Sequence, residues 1–381
     1  MLNISSVKKV TGDSAEMREL AARICRDYLH GAWKRVNSQN IGFKHISGGL
    51  SNLLYHVSLP DQLWKESRYK EEPREVLIRV YGQTHGEGAL EALITESVIF
   101  TLLSERNLGP KLHGIFPGGR IEQYINARPL KTKELADEKL SVQIAQKMAT
   151  IHSMQVPLHK EPTWLWNTID RWLHTCDSKL SSDIPPFAKT ILDKMDLRAE
   201  TKWLRKRLEA ESTPVVFCHN DLQEGNILMC QDDEPDKDNN NAESKIVIID
   251  FEYCSYNYRS FDIANHFVEW AYDYTEPNHP FYKEDWSNYP TEKQRHAFIR
   301  AYLDESGSRE NPKKVMREVE IFTLASHFFW ALWGLINAET SKIPFGYWEY
   351  ACSRFNCYNR LKLKLGGSGQ LKRKMDYDCA A

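Results

Sequence analysis

The sequence predicts an α+β fold in two parts, a small N-terminal lobe on an antiparallel sheet and a large, mainly helical C-terminal lobe. Three observations carry this. Short apolar runs separated by Gly-rich turns crowd residues 43–125, helical apolar periodicity fills much of 134–364, and two apolar runs at 215–229 and 245–253 interrupt the helices.

Asp13 and Glu16 form a D-x-x-E start signal ahead of Met17, Leu20, Ile24 and Tyr28 at helical spacing. FKHISGGLSNLLYHVSL, 43–59, reads as two strands joined by a turn rich in Ser, Gly and Asn. VLIRVYG, 76–82, is a third strand ended by Gly82. Residues 88–106 form an amphipathic helix through Leu90, Leu93, Ile94, Phe100, Leu102 and Leu103, stopped by Gly109-Pro110. LHGIFPGGRIEQYI, 112–125, is a hairpin about Pro117-Gly118-Gly119. From Asn126 helices dominate, at 134–153, 164–180, 186–210, 261–273, 290–304, 312–340 and 344–364. The acidic, Asn-rich segment 231–244 is too polar to pack and reads as an exposed, mobile hairpin insertion. The domains are therefore 1–125, 126–365 and a flexible tail, 366–381.

Composition narrows the function. Of 381 residues, 50 are Lys or Arg and 52 Asp or Glu, a net charge of −2 that excludes the basic face of a nucleic-acid binder. A hydrophobic share of 41% and a charged share of 27% give a soluble globular mix. The eight cysteines contain no CxxC pair, so neither a disulfide framework nor a zinc site is expected, and a reducing, cytoplasmic setting fits. MLNISSVKKV lacks the apolar region of a secretory signal. The most apolar stretch, Ile321–Ile336, is 16 residues long and holds Thr323, Ser326 and His327. A membrane span needs about 20 apolar residues, so a buried helix is expected and no span.

The chemistry-bearing pattern is His219-Asn220-Asp221-Leu222-Gln223-Glu224-Gly225-Asn226, an H-x-D-x-x-x-x-N loop after the strand Val215–Phe217. An Asp on such a loop can face a hydroxyl nucleophile, while an Asn five residues on turns back toward Mg²⁺. Twenty-four residues past Asn226 an apolar strand ends in Asp250-Phe251-Glu252, placing a second metal ligand. Loop carboxylates beside a divalent ion and a triphosphate are what phosphoryl transfer requires. A turn residue and a strand-end cap would explain either acid alone, but not both in this order. His219 reads as loop support rather than a proton carrier.

The N-terminal lobe should hold the nucleotide. The turn Ser47-Gly48-Gly49-Leu50-Ser51-Asn52 offers backbone N–H groups to phosphate oxygens, although a plain β-turn fits the same residues. Arg79 is a cation inside an apolar strand, where a kinase carries its phosphate-pairing Lys. Glu96 on the following helix is the expected partner that orients it, with Glu91 the alternative; a solvated helix face is the bland reading of both. Gln123, Tyr124 and Ile125 fall at the lobe junction, where an adenine edge would meet backbone groups.

CHNDLQEGNIL followed by IDFEYCSYNYRSFDIANHFVEW resembles the choline/ethanolamine kinase family, over about Lys44 to Leu363. The resemblance implies a protein-kinase-like two-lobed fold, ATP-dependent phosphorylation of choline and a homodimer. It implies Asp221 as catalytic base, Asn226 and Asp250 as magnesium ligands, and Arg79 as the phosphate-binding cation. Glu252 stands where protein kinases have Gly after Asp-Phe, beside the metal.

A quaternary ammonium has no N–H donors, so aromatic faces must hold it, at about 0.5–2 kcal/mol per contact. Trp330 and Trp333 lie i, i+3 on one helix face, and Phe345 and Tyr350 follow on the next helical segment. By resemblance Trp330, Trp333 and Tyr350 match the choline-binding aromatics, with Glu269 and Tyr274 at the rim. An aromatic stripe is ordinarily core, and Glu269 reads either as an exposed face or as a counter-charge for the cation. An ethanolamine kinase, a catalytically dead kinase-like binding protein and an aminoglycoside phosphotransferase remain alternatives. The paired tryptophans weigh against the first and third, and the intact Asp221, Asn226 and Asp250 against the second.

Overall fold

The computed structural model describes residues 14–46, 52–68, 72–81, 89–180, 184–231 and 246–366, with the side chains of 52, 89–92, 179 and 366 left aside. In chain order the first elements are α1 (Ala15–Tyr28), β1 (Gly42–Ile46), β2 (Asn52–Ser58), α2 (Asp61–Glu66), β3 (Glu75–Tyr81) and α3 (Ala89–Glu105). They are followed by β4 (Leu112–Phe116), β5 (Gly119–Gln123) and β6 (Ala127–Pro129). Next come α4 (Glu138–His152), α5 (Thr163–Lys179), α6 (Pro186–Leu192), α7 (Leu197–Glu209) and β7 (Val215–Cys218). The strands β8 (Ile227–Cys230), β9 (Ile246–Ile248) and β10 (Ser255–Tyr258) precede α8 (Arg259–Glu269), α9 (Glu292–Glu305), α10 (Pro312–Thr340) and α11 (Tyr347–Gly366).

Two compact units result, one from Met1–Pro129 with Ile227–Glu252, the other from Leu130–Asn226 with Tyr253–Ala381. The first holds an antiparallel sheet in the order β1-β2-β3-β5-β4. Alternation along β3 sends Val76, Ile78 and Val80 into a core with Tyr55, Val57 and Ile121, against Met17, Ala21 and Ile24 of α1. The Ser14 hydroxyl caps α1 by accepting from the Met17 amide at 3.2 Å, so the helix starts after Ser14; Asp13 lies outside the described residues. At Gly119 a Cβ would meet the Arg79 carbonyl at 2.2 Å, so only glycine lets β5 approach β3 here.

The expected division at 125/126 differs from this one because β8 pairs with β6 (Pro129 opposite Leu228) and β9 pairs with β8. That three-stranded sheet carries 227–252 into the first unit, although the helical lobe was expected to contain it. The β9 ladder also ends at Ile248, two residues short of Asp250, which sits on the loop beyond.

The second unit is helical around a two-stranded sheet in which β7 pairs with β10. The 186–210 segment is two helices: α7 has its own cap, Asp196, accepting from the Arg198 and Ala199 amides. Every residue of α8 is buried. The apolar run around Ile321–Ile336 belongs to the 29-residue α10, long and apolar enough to cross a membrane. Its most apolar window is 83% buried inside the protein, as a core helix is, and it packs along α8 and α11.

Candidate active site

In the first unit Arg79 lies on the face of the sheet opposite the core residues Ile78 and Val80. Arg79 and Arg120 stand directly across from each other in the β3–β5 register. Two guanidiniums side by side need a shared anion, and β5 supplies Glu122. Arg79 Nε donates to Glu122 Oε1 at 2.7 Å, and Arg120 Nε donates to the same oxygen at 2.6 Å. Arg120 Nη1 reaches Glu96 Oε1 at 2.6 Å, and its guanidinium lies 4.1 Å over the Phe100 ring. The expected Arg79–Glu96 pair is thus replaced: Glu96 holds Arg120, and Arg79 takes Glu122, because Arg120 is its cross-strand neighbour. Glu91 lies among the side chains not described. Ser47, Gly48, Gly49, Leu50 and Ser51 lie outside the described residues, and Asn52 begins β2.

Gln123 ends β5 with its Oε1 accepting from the Lys111 amide at 3.1 Å. Tyr124 stacks on His56 at 3.8 Å, and Ile125 follows beyond the ladder. Asp250 has φ 64°, a left-handed conformation that Asp tolerates better than most residues and that is common where function constrains the chain. Glu252 keeps an exposed side. Partial loss of water and the negative charges of Asp250 and Glu96 push its carboxyl up to about 7, against the pull of Arg79.

In the second unit β7 delivers the H-x-D-x-x-x-x-N loop. Asn226 Nδ2 donates to the Asp221 backbone oxygen at 2.8 Å and to Asp221 Oδ2 at 3.1 Å. The five-residue spacing therefore closes the loop on itself, with Asn226 Oδ1 outside both bonds. His219 is buried, and its Nδ1 accepts from the Asp221 amide at 3.3 Å, consistent with loop support. Asn220, at φ 69°, is held on three sides: Nδ2 to the Tyr253 carbonyl and Ser255 Oγ, both 2.9 Å, and Oδ1 from Asn257 at 2.8 Å.

Asp262 of α8 anchors the same loop. Its two oxygens accept the His219 and Asn220 amides at 2.8 Å each, and Oδ2 also meets His152 Nε2 at 2.9 Å. Burial raises its pKa, but the His152 bond and charge outweigh that and hold it below the usual carboxylate range. Glu224 is buried too, with Oε1 accepting from Thr132 at 3.2 Å and no hydrogen-bond partner for Oε2 among the described residues. Burial first, then the charge of Glu269, push its pKa up to about 8.

The expected aromatics come together. Trp330 and Trp333 meet edge to face at 5.6 Å, Trp333 meets Tyr350 at 5.9 Å and Phe345 at 6.3 Å, and Phe345 meets Tyr350 at 5.6 Å. Tyr274 lies 6.3 Å from both Phe345 and Tyr350. Glu269 is not an exposed face: it is 2% exposed, and Tyr274 donates to its Oε2 at 2.8 Å. Sequence reading missed Tyr253, whose ring meets Trp330 at 5.7 Å, and also Asp262, Arg120, Glu122 and Arg354. Asp262 and Asn265, three apart on α8 among apolar Phe261, Ile263, Ala264, Phe267 and Val268, were the available signal for a polar stripe facing inward.

A β-sheet unit bearing buried cations, joined in one chain to a helical unit bearing this loop, defines a phosphotransferase of the protein-kinase-like fold. The family model for choline/ethanolamine kinase matches residues 43–359, and the chain belongs to that family. It is similar to a choline/ethanolamine kinase of Homo sapiens, 47% identical over 370 residues, which covers 94% of this chain and 89% of the relative. Choline kinase alpha of Mus musculus is 43% identical over 371 residues, covering 90% of this chain and 80% of that one. A solved choline kinase of Cryptosporidium parvum Iowa II is similar with a TM-score of 0.74 at 30% identity, covering 92% of this chain and 97% of that one.

Proposed function

We propose that this chain transfers the γ-phosphoryl group of ATP to the hydroxyl of choline, giving phosphocholine and ADP, with ethanolamine as a weaker substrate. The reaction is the first step toward phosphatidylcholine. The observation that carries the substrate assignment is the joining of Trp330, Trp333, Phe345 and Tyr350 in one ring cluster, in the same unit as the Asp221 loop. Aromatic faces attract a quaternary ammonium through their quadrupoles, and Tyr274 and Glu269 would line its rim.

Asp221 takes the proton from the choline hydroxyl as that oxygen bonds the γ-phosphorus, and the bond from phosphorus to the β–γ bridging oxygen breaks to release ADP. The Asn226 bond holds this carboxylate and the Asp262 bonds fix the backbone just before it, so little reorganisation is left for the transition state. Arg79, fixed by Glu122, is the cation for the nucleotide phosphates, with Glu96 acting through Arg120. Gln123, Tyr124 and Ile125 would meet the adenine.

By the family resemblance Asn226, Asp250 and Glu252 would hold Mg²⁺, and each has the chemistry for it. They offer hard oxygen donors, Asn226 spends its Nδ2 on Asp221, and the repulsion between Glu252 and Asp250 is of the kind a cation relieves. Bound by them, Mg²⁺ would compensate the charge of the triphosphate. A homodimer and a cytoplasmic setting belong to the same reading and rest on the family resemblance; sedimentation tests the dimer.

Asp221→Asn keeps the size and removes the base. A coupled ADP-release assay with choline, ethanolamine and no acceptor should give a kcat at least about 10²-fold below wild type with ATP binding retained. A wild-type kcat in this variant would overturn the assignment.

A further inference from the structure

Arg354 of α11 is fully buried, and a buried guanidinium is costly unless its charge is met. Its Nη2 donates to Glu269 Oε1 at 2.5 Å, to the Tyr350 hydroxyl at 2.6 Å and to the Tyr274 hydroxyl at 3.4 Å. The guanidinium also lies 3.9 Å over the Tyr272 ring and 4.9 Å from that of Tyr350. Nε and Nη1 have no hydrogen-bond partner among the described residues. The group is thus placed for charge and stacking rather than to saturate its donors. Glu269, in turn, is closed on both oxygens, by Arg354 and by Tyr274.

A buried cation beside an aromatic cluster that binds a cationic substrate looks counterproductive until the two amines are compared. Choline brings a fixed charge and no N–H, and gains from ring faces. Ethanolamine brings three N–H donors and gains most from a bare carboxylate. Glu269 without Arg354 would be such a carboxylate.

We propose that Arg354 sets the amine preference: by neutralising Glu269 it leaves the ammonium to the aromatic faces and denies a primary amine its anionic acceptor. This rests on the reading of Trp330, Trp333 and Tyr350 as the amine's cage. Arg354 is a positioning residue, acting through Glu269 and Tyr350.

The test measures kcat and KM for choline, ethanolamine and ATP in Arg354→Met, in Arg354→Met combined with Glu269→Gln, and in Trp333→Ala. Arg354→Met should lower the ratio of choline to ethanolamine kcat/KM by about fivefold or more. The double variant, neutral again, should return that ratio to within about twofold of wild type. The KM for ATP should stay unchanged throughout. Equal losses on both amines in Arg354→Met, or a ratio that does not return in the double variant, would overturn the proposal. Should Arg354→Met fail to fold, Glu269→Gln carries the test. It leaves the Arg354 charge facing the substrate and should raise KM for both amines about tenfold or more, with ATP unaffected; unchanged amine KM values would overturn the proposal. Trp333→Ala separates the two levels: if it does not weaken choline selectively the cage reading fails, and if it does, only the Arg354 arms decide this inference.

Discussion

The indole N–H of Trp330 donates to Asn265 Oδ1 at 2.7 Å. Asn265 also accepts from Ser326 Oγ at 2.8 Å, and its Nδ2 donates to the Asn220 backbone oxygen at 3.3 Å. One buried amide on α8 therefore ties the aromatic cluster to the loop that carries Asp221. Asn265→Ala should leave buried donors and an acceptor unmatched, at about 1–3 kcal/mol of stability. It should lower kcat and raise KM for choline together while leaving KM for ATP alone, and Asn265→Asp, which keeps the acceptor, should retain the choline KM better. Kinetics on the three substrates beside thermal unfolding checks this. A loss of melting temperature with unaltered kcat and choline KM would reduce Asn265 to a packing residue.

Asn226→Ala and Asp250→Ala should each raise the Mg²⁺ concentration needed for half-maximal activity. Magnesium relies on a few protein oxygens plus phosphates and waters, so losing one ligand weakens the metal–nucleotide complex. Asn226→Ala should in addition lower kcat at saturating Mg²⁺, because its Nδ2 also fixes Asp221. A Mg²⁺ titration identical to wild type would remove Asn226 from the ligand set.

What the sequence could disclose depended on how local each relationship is. Asp221 and Asn226 interact within one loop, so a fixed spacing marks them. Trp330 and Trp333 share one helix face, and the i, i+3 rule marks them too. Arg79 was visible as a cation in an apolar strand, but its partner was not. Glu122 reaches it only through the β3–β5 register, which no helix-based rule supplies. The placement of 227–252 with the sheet unit was equally hidden, because it follows from three-residue ladders between segments about a hundred positions apart. Glu269 was legible only in part: an acid beside apolar Phe267 and Val268 is open to both an exposed and a counter-charge reading, and its partner Arg354 lies 85 residues on.

Acidification should destabilise the fold through His266. Its ring is fully buried, Nδ1 faces the Leu222 carbonyl at 2.8 Å, and Nε2 accepts from the Trp270 indole at 3.2 Å. Burial pushes its pKa down to about 4, from 6.5 when unfolded. Between those values the unfolded chain binds a proton that the folded ring refuses, so stability rises with pH there and is level for this group above 6.5. From pH 7 to pH 5 wild type should lose roughly 2 kcal/mol more unfolding free energy than His266→Gln. Glu224, raised to about 8, contributes with the opposite sign but is common to both proteins. Urea unfolding at the two pH values measures the difference, and parallel losses would contradict it.

Trp333→Ala and Trp330→Ala should weaken choline and spare ATP, but with different costs to the fold. Trp330 is 6% exposed and hydrogen-bonded, so its truncation should cost about 3–5 kcal/mol of stability as well. Trp333 is only half-buried, which makes it the cleaner probe. Removing its face should cost about 1–2 kcal/mol of choline binding, a KM rise of about five- to thirtyfold where KM follows Kd. Ethanolamine should suffer less, since its N–H groups can use neutral acceptors such as hydroxyl oxygens, which choline cannot. Packing alone predicts something else: a large drop in melting temperature with equal losses on choline, ethanolamine and ATP. Steady-state KM for all three, measured beside the melting temperature of each variant, separates the two. Equal losses in Trp333→Ala would place the choline pocket elsewhere in the chain.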